Sequence, residues 1–578
     1  MVDGQIFKMM NKYLISLFLT VFSGVSFAQS NNPLSIYEGE RVEFVTFDFA
    51  SLPKDTLVAL NISQKIENTY KIYPNMSYSS FMSDYYISQI GMYPFVEKVT
   101  IDISEPNENG ISIKITVTLT ENELAMSRNE NIFKNRKAFP NIYTDSRSFL
   151  TFKFSSSEMI YSNNNAWFGQ PKPILTGNPL VHNPEGDGYY GWLEGFAMAG
   201  IYGISKIIPR YNIHLYGGAS YMVSFSCGRE MFSDKSRFYG GLEDAFIGLI
   251  GGGRTLRGDN YSYNMLYGRK QFILADGFLL INTSMNGDNR AALQLNPRWA
   301  AKDLFQASFK IDRLSIGAFH FKPNELPILN SNTTINGINV ELGSKDRVLI
   351  GASFLHVPRS TLRYFLANGD VFFRRGLQVY NIRLFINPPQ GKDGLFFKTE
   401  GAYQRNSNFN MGAFAFYGEA GWRFTETKGA PSIGYRFAYF SGDNPSTSRY
   451  ERWDALYTGG NGEQWVQGSN MYKMVQNSNE LSHRLQAIYN PMPKLQLVMQ
   501  LWLFYAPRLL NLGGNAALSN LSSHYLGSEV NLTVKYFKSR NWYFHLNTAY
   551  TFAGSAITEN VEKTKNWFCL STFVRYSF

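Results

Sequence analysis

Only two cysteines, Cys227 and Cys569, occur in 578 residues, and they lie far apart in sequence. No disulfide framework or zinc spacing can be built from them, so both read as small hydrophobes. Charge is scarce as well. Asp, Glu, Lys and Arg make up 17% of the chain, against about 25% in ordinary globular domains. The seven histidines form no His-Glu-x-x-His pair, and no Gly-x-Ser-x-Gly elbow occurs, so two common hydrolase signatures are missing. After residue 28 no apolar run approaches about 18 residues, which excludes a bundle of membrane helices. No enzyme, cofactor or metal site is expected.

Aromatics, by contrast, reach 16%, with 46 Phe, 36 Tyr and 9 Trp, and there are 49 Gly. That aromatic content excludes disorder. Mean hydropathy is nevertheless −0.23, so apolar residues are dispersed rather than continuous. The composition is that of a β-rich protein with much aromatic surface.

The first 28 residues read as a signal peptide. Lys8 and Lys12 precede an apolar run from Tyr13 to Val25, and Ser26-Phe27-Ala28 places small residues at −3 and −1. Cleavage before Gln29 would deliver an exported chain.

Residues 29–125 have the pattern of a small α/β domain. Val42 to Phe47 is a candidate strand. Leu57 to Thr69 places Leu57, Leu60, Ile62 and Ile66 near one helix face, and Tyr78 to Met92 forms a second helical run. Val96 to Ile103 and Ile111 to Leu119 alternate as strands around a turn over 105–110. The order β-α-α-β-β, with Gly91-Met92-Tyr93-Pro94-Phe95-Val96 joining helix to strand, resembles a POTRA domain. An unrelated small α/β or ferredoxin-like domain is the alternative reading. Residues 126–188 are rich in Asn, Ser and Pro and read as a linker or loop, with a candidate first strand at Phe149 to Phe154.

From 189 to 578 the chain becomes a series of alternating segments of about ten residues. Ile213 to Phe225, Ile433 to Tyr439, Leu495 to Leu503 and Val530 to Tyr536 each set one apolar side against one mixed polar side. Ten residues is the length a tilted strand needs to cross the hydrocarbon layer. The expected fold is an all-β transmembrane β-barrel behind the small α/β domain. At roughly 22–24 residues per strand, this span gives about 16–18 antiparallel strands. The last strand, Trp567 to Phe578, puts Phe568, Leu570, Thr572, Val574, Tyr576 and Phe578 on one face. A terminal Phe closing such a strand resembles the outer-membrane insertion signal of bacterial barrels, here carried by Val574, Tyr576 and Phe578. Barrel-assembly machinery and outer-membrane lipids are the partners this implies.

Charge is divided between the two parts. Residues 29–144 hold 10 Lys/Arg and 14 Asp/Glu, whereas 145–578 hold 43 and 30. A charge facing lipid costs about 2–4 kcal/mol at the midplane, so basic residues within strands should point into the lumen. The candidates are Arg269, Arg375, Arg383, Arg423, Arg436, Arg484 and Lys535, with Arg374 beside them. Fixed cations in a narrow lumen concentrate anions, and guanidinium forks suit carboxylates. Alternatively, these residues pair with luminal Asp and Glu and stiffen the barrel. Gly251-Gly252-Gly253-Arg254-Thr255-Leu256-Arg257-Gly258 reads as a flexible loop, although its Leu-Arg-Gly step also resembles the lid loop of POTRA-bearing translocation barrels.

Two stretches resemble the alginate-export-type outer-membrane porins. Gly268-Arg269-Lys270-Gln271 through Asp276-Gly277-Phe278 is similar to one of that family's strands. Ser441-Gly442-Asp443, followed by Trp453-Asp454-Ala455-Leu456, is similar to another strand and its loop, with Trp453 where Phe is usual. The resemblance implies an eighteen-stranded barrel that passes an anionic polysaccharide through an arginine-lined pore. The expected function is thus an outer-membrane channel for anionic solutes or polysaccharide, with the N-terminal domain in the periplasm offering a dock for a partner. The alternative is a POTRA-plus-barrel factor for polypeptide translocation or outer-membrane assembly.

Overall fold

The structure is a computed structural model that describes residues 40–50, 52, 56–93, 95–104, 111–119, 139–208, 212–344, 347–366, 369–389, 391–459, 465–510, 518–539 and 541–578. The signal peptide expected over 1–28, the turn over 105–110 and the segment 120–138 lie outside them.

The first elements are strand β1 (Val42–Ala50), helices α1 (Thr56–Thr69) and α2 (Ser80–Gly91), and strands β2 (Val96–Ile103) and β3 (Ile111–Leu119). This is the order expected from the sequence. The sheet runs β1-β3-β2, with β1 parallel and β2 antiparallel to the central β3. Period-two alternation explains why β3 is central: Ile111, Ile113, Ile115, Val117 and Leu119 all point into one core, which they share with Ile62, Ile66, Tyr70 and Ile90. A hydrogen bond of 2.9 Å between the Tyr70 and Ser83 hydroxyls ties the start of α2 to the end of α1.

Among the described residues, eighteen antiparallel strands then close into one barrel. The first is Ser148–Asn164 and the last Trp567–Ser577; they pair with each other, so no open edge is left. A short strand, Asn141–Thr144, adds to the first strand at the seam. The first barrel strand thus falls in the segment read as a linker or loop, and it contains the candidate strand at Phe149 to Phe154. Its outward-facing side carries Ser156 and Glu158, which interrupt the apolar repeat that marks the other strands.

Alternation elsewhere is regular. Leu215, Tyr221, Ile382, Tyr435, Met499, Leu501, Val530 and Leu532 face outward and are exposed, while His214, Tyr216, Arg383, Arg436, Trp502 and Glu529 face inward and are buried. The apolar outer band is the surface a bilayer requires. Gly251, Gly252, Gly253 and Arg254 do not form a flexible loop; they end the strand Arg237–Arg254, and the reversal is confined to residues 255–259. Small residues are needed there, because a Cβ on Gly252 would lie 2.5 Å from the Met76 side chain of the N-terminal domain.

The two ends of the barrel differ. At one end the reversals are short, as between Ile311 and Leu314. At the other, long connections run from Asn164 to Tyr189, from Arg269 to Asp303 and from Phe440 to Glu480. The C-terminal Phe578 and the N-terminal domain both lie at the short-turn end, where α2 packs against the wall strands Ser148–Asn164 and Tyr189–Ile208.

Candidate functional site

The lumen is where this fold gathers polar chemistry, and its wall is set by the inward half of each strand. Arg383, on strand Leu377–Ile386, is buried and makes 3.0 Å hydrogen bonds to Ser353 Oγ and Asn381 Oδ1, with a 2.8 Å ion pair to Glu341. Arg436 and Arg484 are register partners on strands Ser432–Phe440 and Glu480–Met492. Arg436 lies over the Trp465 and Trp502 rings at 4.8 and 5.5 Å and donates to Gln467 at 3.1 Å. Arg484 pairs with Glu419 at 2.8 Å and contacts the same Trp502 ring at 5.7 Å. Arg423 sits over Phe396 at 4.7 Å and donates to Asn387. Lys535 is in phase with the inward Glu529, Asn531 and Thr533.

Five of the seven basic candidates therefore share the luminal face. Arg269 ends its strand and donates to the Glu243 carbonyl at 3.3 Å. Arg375 is exposed just past a small hairpin, Arg363–Phe365 with Val371–Phe373, while its neighbour Arg374 is buried. Both alternatives left open by the sequence find a place here: the cations face inward, and Arg383 and Arg484 are matched by acids.

The lumen is also partly filled. The connections over 270–302, 441–459 and 465–479 fold inward and meet. Phe278 packs on Tyr417, Phe440, Trp453 and Trp465, and Trp465 Nε1 donates to the Asp276 carbonyl. Wall carboxylates hold these segments by their backbone amides. Glu529 accepts from Ser469 N, from Asn470 N at 3.1 Å and from Met471 N at 3.0 Å, and Glu243 accepts from Trp299 N and Ala300 N at 2.7 and 2.8 Å. Converging amides of this kind suit an anion, here the protein's own carboxylate.

The strongest anchor is Asp454. Arg374 grips it with Nε at 2.7 Å and Nη2 at 2.8 Å, Tyr364 donates at 2.5 Å, and Leu456 N adds 2.8 Å. Burial alone would push the Asp454 carboxyl up; the Arg374 guanidinium, helped by Tyr364 and the Leu456 amide, holds it below the usual carboxylate range. Asp454 belongs to the stretch that resembles the porin family.

A cavity of about 720 Å³ remains between the N-terminal domain, the inserted 270–302 segment and the wall. Its lining is mixed in sign: Arg41, Lys270, Lys310, Arg313 and Arg575 face Glu40, Glu243, Asp244, Asp276 and Glu341. Sequence reasoning missed Glu243 and Lys153. The signal was present as single charges within apolar alternation, which a lipid-spanning strand tolerates only on its inner face. Among the described residues no cluster of metal-ligating side chains occurs.

Comparison with known proteins adds one family. Residues 358–569 match a family model described as Alginate export. The span contains the Ser441 to Leu456 stretch but not the Gly268 to Phe278 stretch. No curated protein sequence matches the chain. Among solved structures, OccK5 (OpdH) of Pseudomonas aeruginosa shares 11% identity at a TM-score of 0.43, over 74% of this chain and 98% of that one. The outer membrane protein OprD of Pseudomonas aeruginosa shares 11% at 0.44, over 74% and 94%. OmpF of Salmonella typhi, in complex with daunomycin, shares 11% at 0.37, over 76% and 100%.

Proposed function

We propose, from the alginate-export match over residues 358–569 and the closed eighteen-stranded barrel, that this chain is an outer-membrane channel for anionic solutes or an anionic polysaccharide. The match and the barrel point to a channel rather than an enzyme. The observation that carries the anionic reading is the set of luminal cations, Arg383, Arg423, Arg436, Arg484 and Lys535, all within the matched span. Arg383 and Arg484 pair with Glu341 and Glu419, so part of this positive charge is matched within the wall.

Outer-membrane barrels keep short turns on the periplasmic side and long loops outside. On that rule the N-terminal domain is periplasmic, and the filled end with the 441–479 segment faces out. A partner at the edge strands β1 and β2 of that domain is part of this reading, by strand addition. Val574, Tyr576 and Phe578 serve the barrel-assembly machinery during insertion.

Block of single-channel current tests the substrate class. Polyuronate oligomers on the short-turn side are expected to interrupt the current at concentrations at least about tenfold below those of neutral oligosaccharides of equal length. Replacing Arg423 and Lys535 with Ser should narrow that difference, by about 1.4 kcal/mol for each tenfold lost. Equal block by the neutral and acidic oligomers would sink the anionic assignment.

A further inference from the structure

We infer that the N-terminal α/β domain is a plug seated inside the short-turn mouth of the barrel, and that its release gates the channel; this rests on the channel reading above. The seat is built from matching groups on both parts. Phe81, at the start of α2, is 7% exposed, yet its ring is enclosed by luminal residues of three successive strands: Tyr202 at 5.9 Å, Tyr216 at 5.1 Å and Phe246 at 5.9 Å. One turn on, Asp84 pairs at 3.5 Å with Lys153, a luminal lysine whose side chain is 8% exposed and which also lies over the Phe81 and Tyr202 rings. The far end of α2 is tied by Tyr86 Oη to Asn212 Oδ1 at 3.0 Å and by Gln89 Nε2 to the Asp145 carbonyl at 2.6 Å.

The barrel wall is shaped for this occupant. Gly252 is bare where Met76, in the loop before α2, presses in, and Arg254 covers the Tyr73 ring at 4.4 Å. Asn260 donates to the Pro74 carbonyl at 3.1 Å. Nothing in a barrel wall calls for an aromatic box, a buried lysine and a glycine floor at one mouth unless something sits there. The luminal face of these strands is paired with the domain as a core is paired with itself, because an unmatched buried Lys153 would be costly. Above the plug lies the 720 Å³ cavity, capped by the inserted 270–302 segment. Transport through that space requires the plug to leave its seat.

The ion pair allows a test by charge exchange in the full-length chain. Asp84→Lys or Lys153→Asp alone puts like charges in contact, and Phe81→Asp empties the aromatic box. Each is expected to raise open probability in planar bilayers at least about tenfold, as a population shift away from the seated state. The double exchange, Asp84→Lys with Lys153→Asp, should return it toward the wild-type value. Hydrogen exchange of the α2 amides gives a second readout independent of current, expected at least about tenfold faster in the single variants and restored in the double. Unchanged exchange and unchanged open probability in all single variants would overturn the plug. If exchange follows the expected pattern while no variant conducts, the seat stands, its gating role falls, and the channel reading falls with it.

Discussion

Arg374→Ala is expected to destabilise the inserted 441–459 segment by about 3–5 kcal/mol, one of the two largest single effects in this protein. The guanidinium supplies a two-pronged grip on Asp454, and both side chains are less than a tenth exposed. Removing it leaves a buried carboxylate with only Tyr364 and one amide for company. Asp454→Ala should cost a similar amount by leaving Arg374 unpaired. Replacing both by apolar residues of similar volume should recover most of the loss, since the pair's desolvation cost disappears with its attraction. Limited proteolysis of the segment, followed with urea, measures all three. The pH dependence has a fixed sign. Because the folded Asp454 pKa lies below its unfolded value near 3.8, the stabilisation is complete above that value and is lost as pH falls through the folded pKa. The wild-type segment should therefore stay protected at pH 5 and open only in stronger acid. In Arg374→Ala that acid transition should weaken or vanish.

Deleting Phe578 is the second. Its backbone N and O both bond to Phe154 at 3.0 Å, so the last residue finishes the ladder that joins the first strand to the last. Its ring touches Phe139, Phe152, Phe154 and Tyr576 at 5.6 to 6.0 Å. Losing this contact set at the one seam that closes the barrel should cost about 3–5 kcal/mol, in the range of a buried Phe→Ala. Phe578→Ala keeps the backbone bonds and should cost less than the deletion. The folded fraction by heat-modified gel migration, compared between the two variants, measures the difference. If the deletion folds as well as wild type, the seam does not depend on its terminal residue.

The barrel was legible because alternation over ten residues has one physical meaning when so many aromatics lack a soluble core. Segments such as Ile213 to Phe225 and Val530 to Tyr536 carry it. The first strand was legible only over Phe149 to Phe154, because Ser156 and Glu158 interrupt the apolar outer side beyond it. The inward direction of Arg383, Arg436 and Arg484 followed from the cost of a charge in lipid. Their partners did not, since Glu341, Glu419 and Trp465 come from other strands and from an inserted loop whose path no local pattern encodes. Phe81 and Lys153 were equally silent: each looks like an ordinary helix or strand residue until the two parts of the chain are placed together.

The reversal potential across a KCl gradient tests the central claim, a channel whose luminal cations prefer anions. With full-length protein in a planar bilayer, the openings should reverse toward the chloride equilibrium potential, and less so when Arg423 and Lys535 are replaced by Ser. Reversal toward the potassium potential, unaffected by those substitutions, would contradict it.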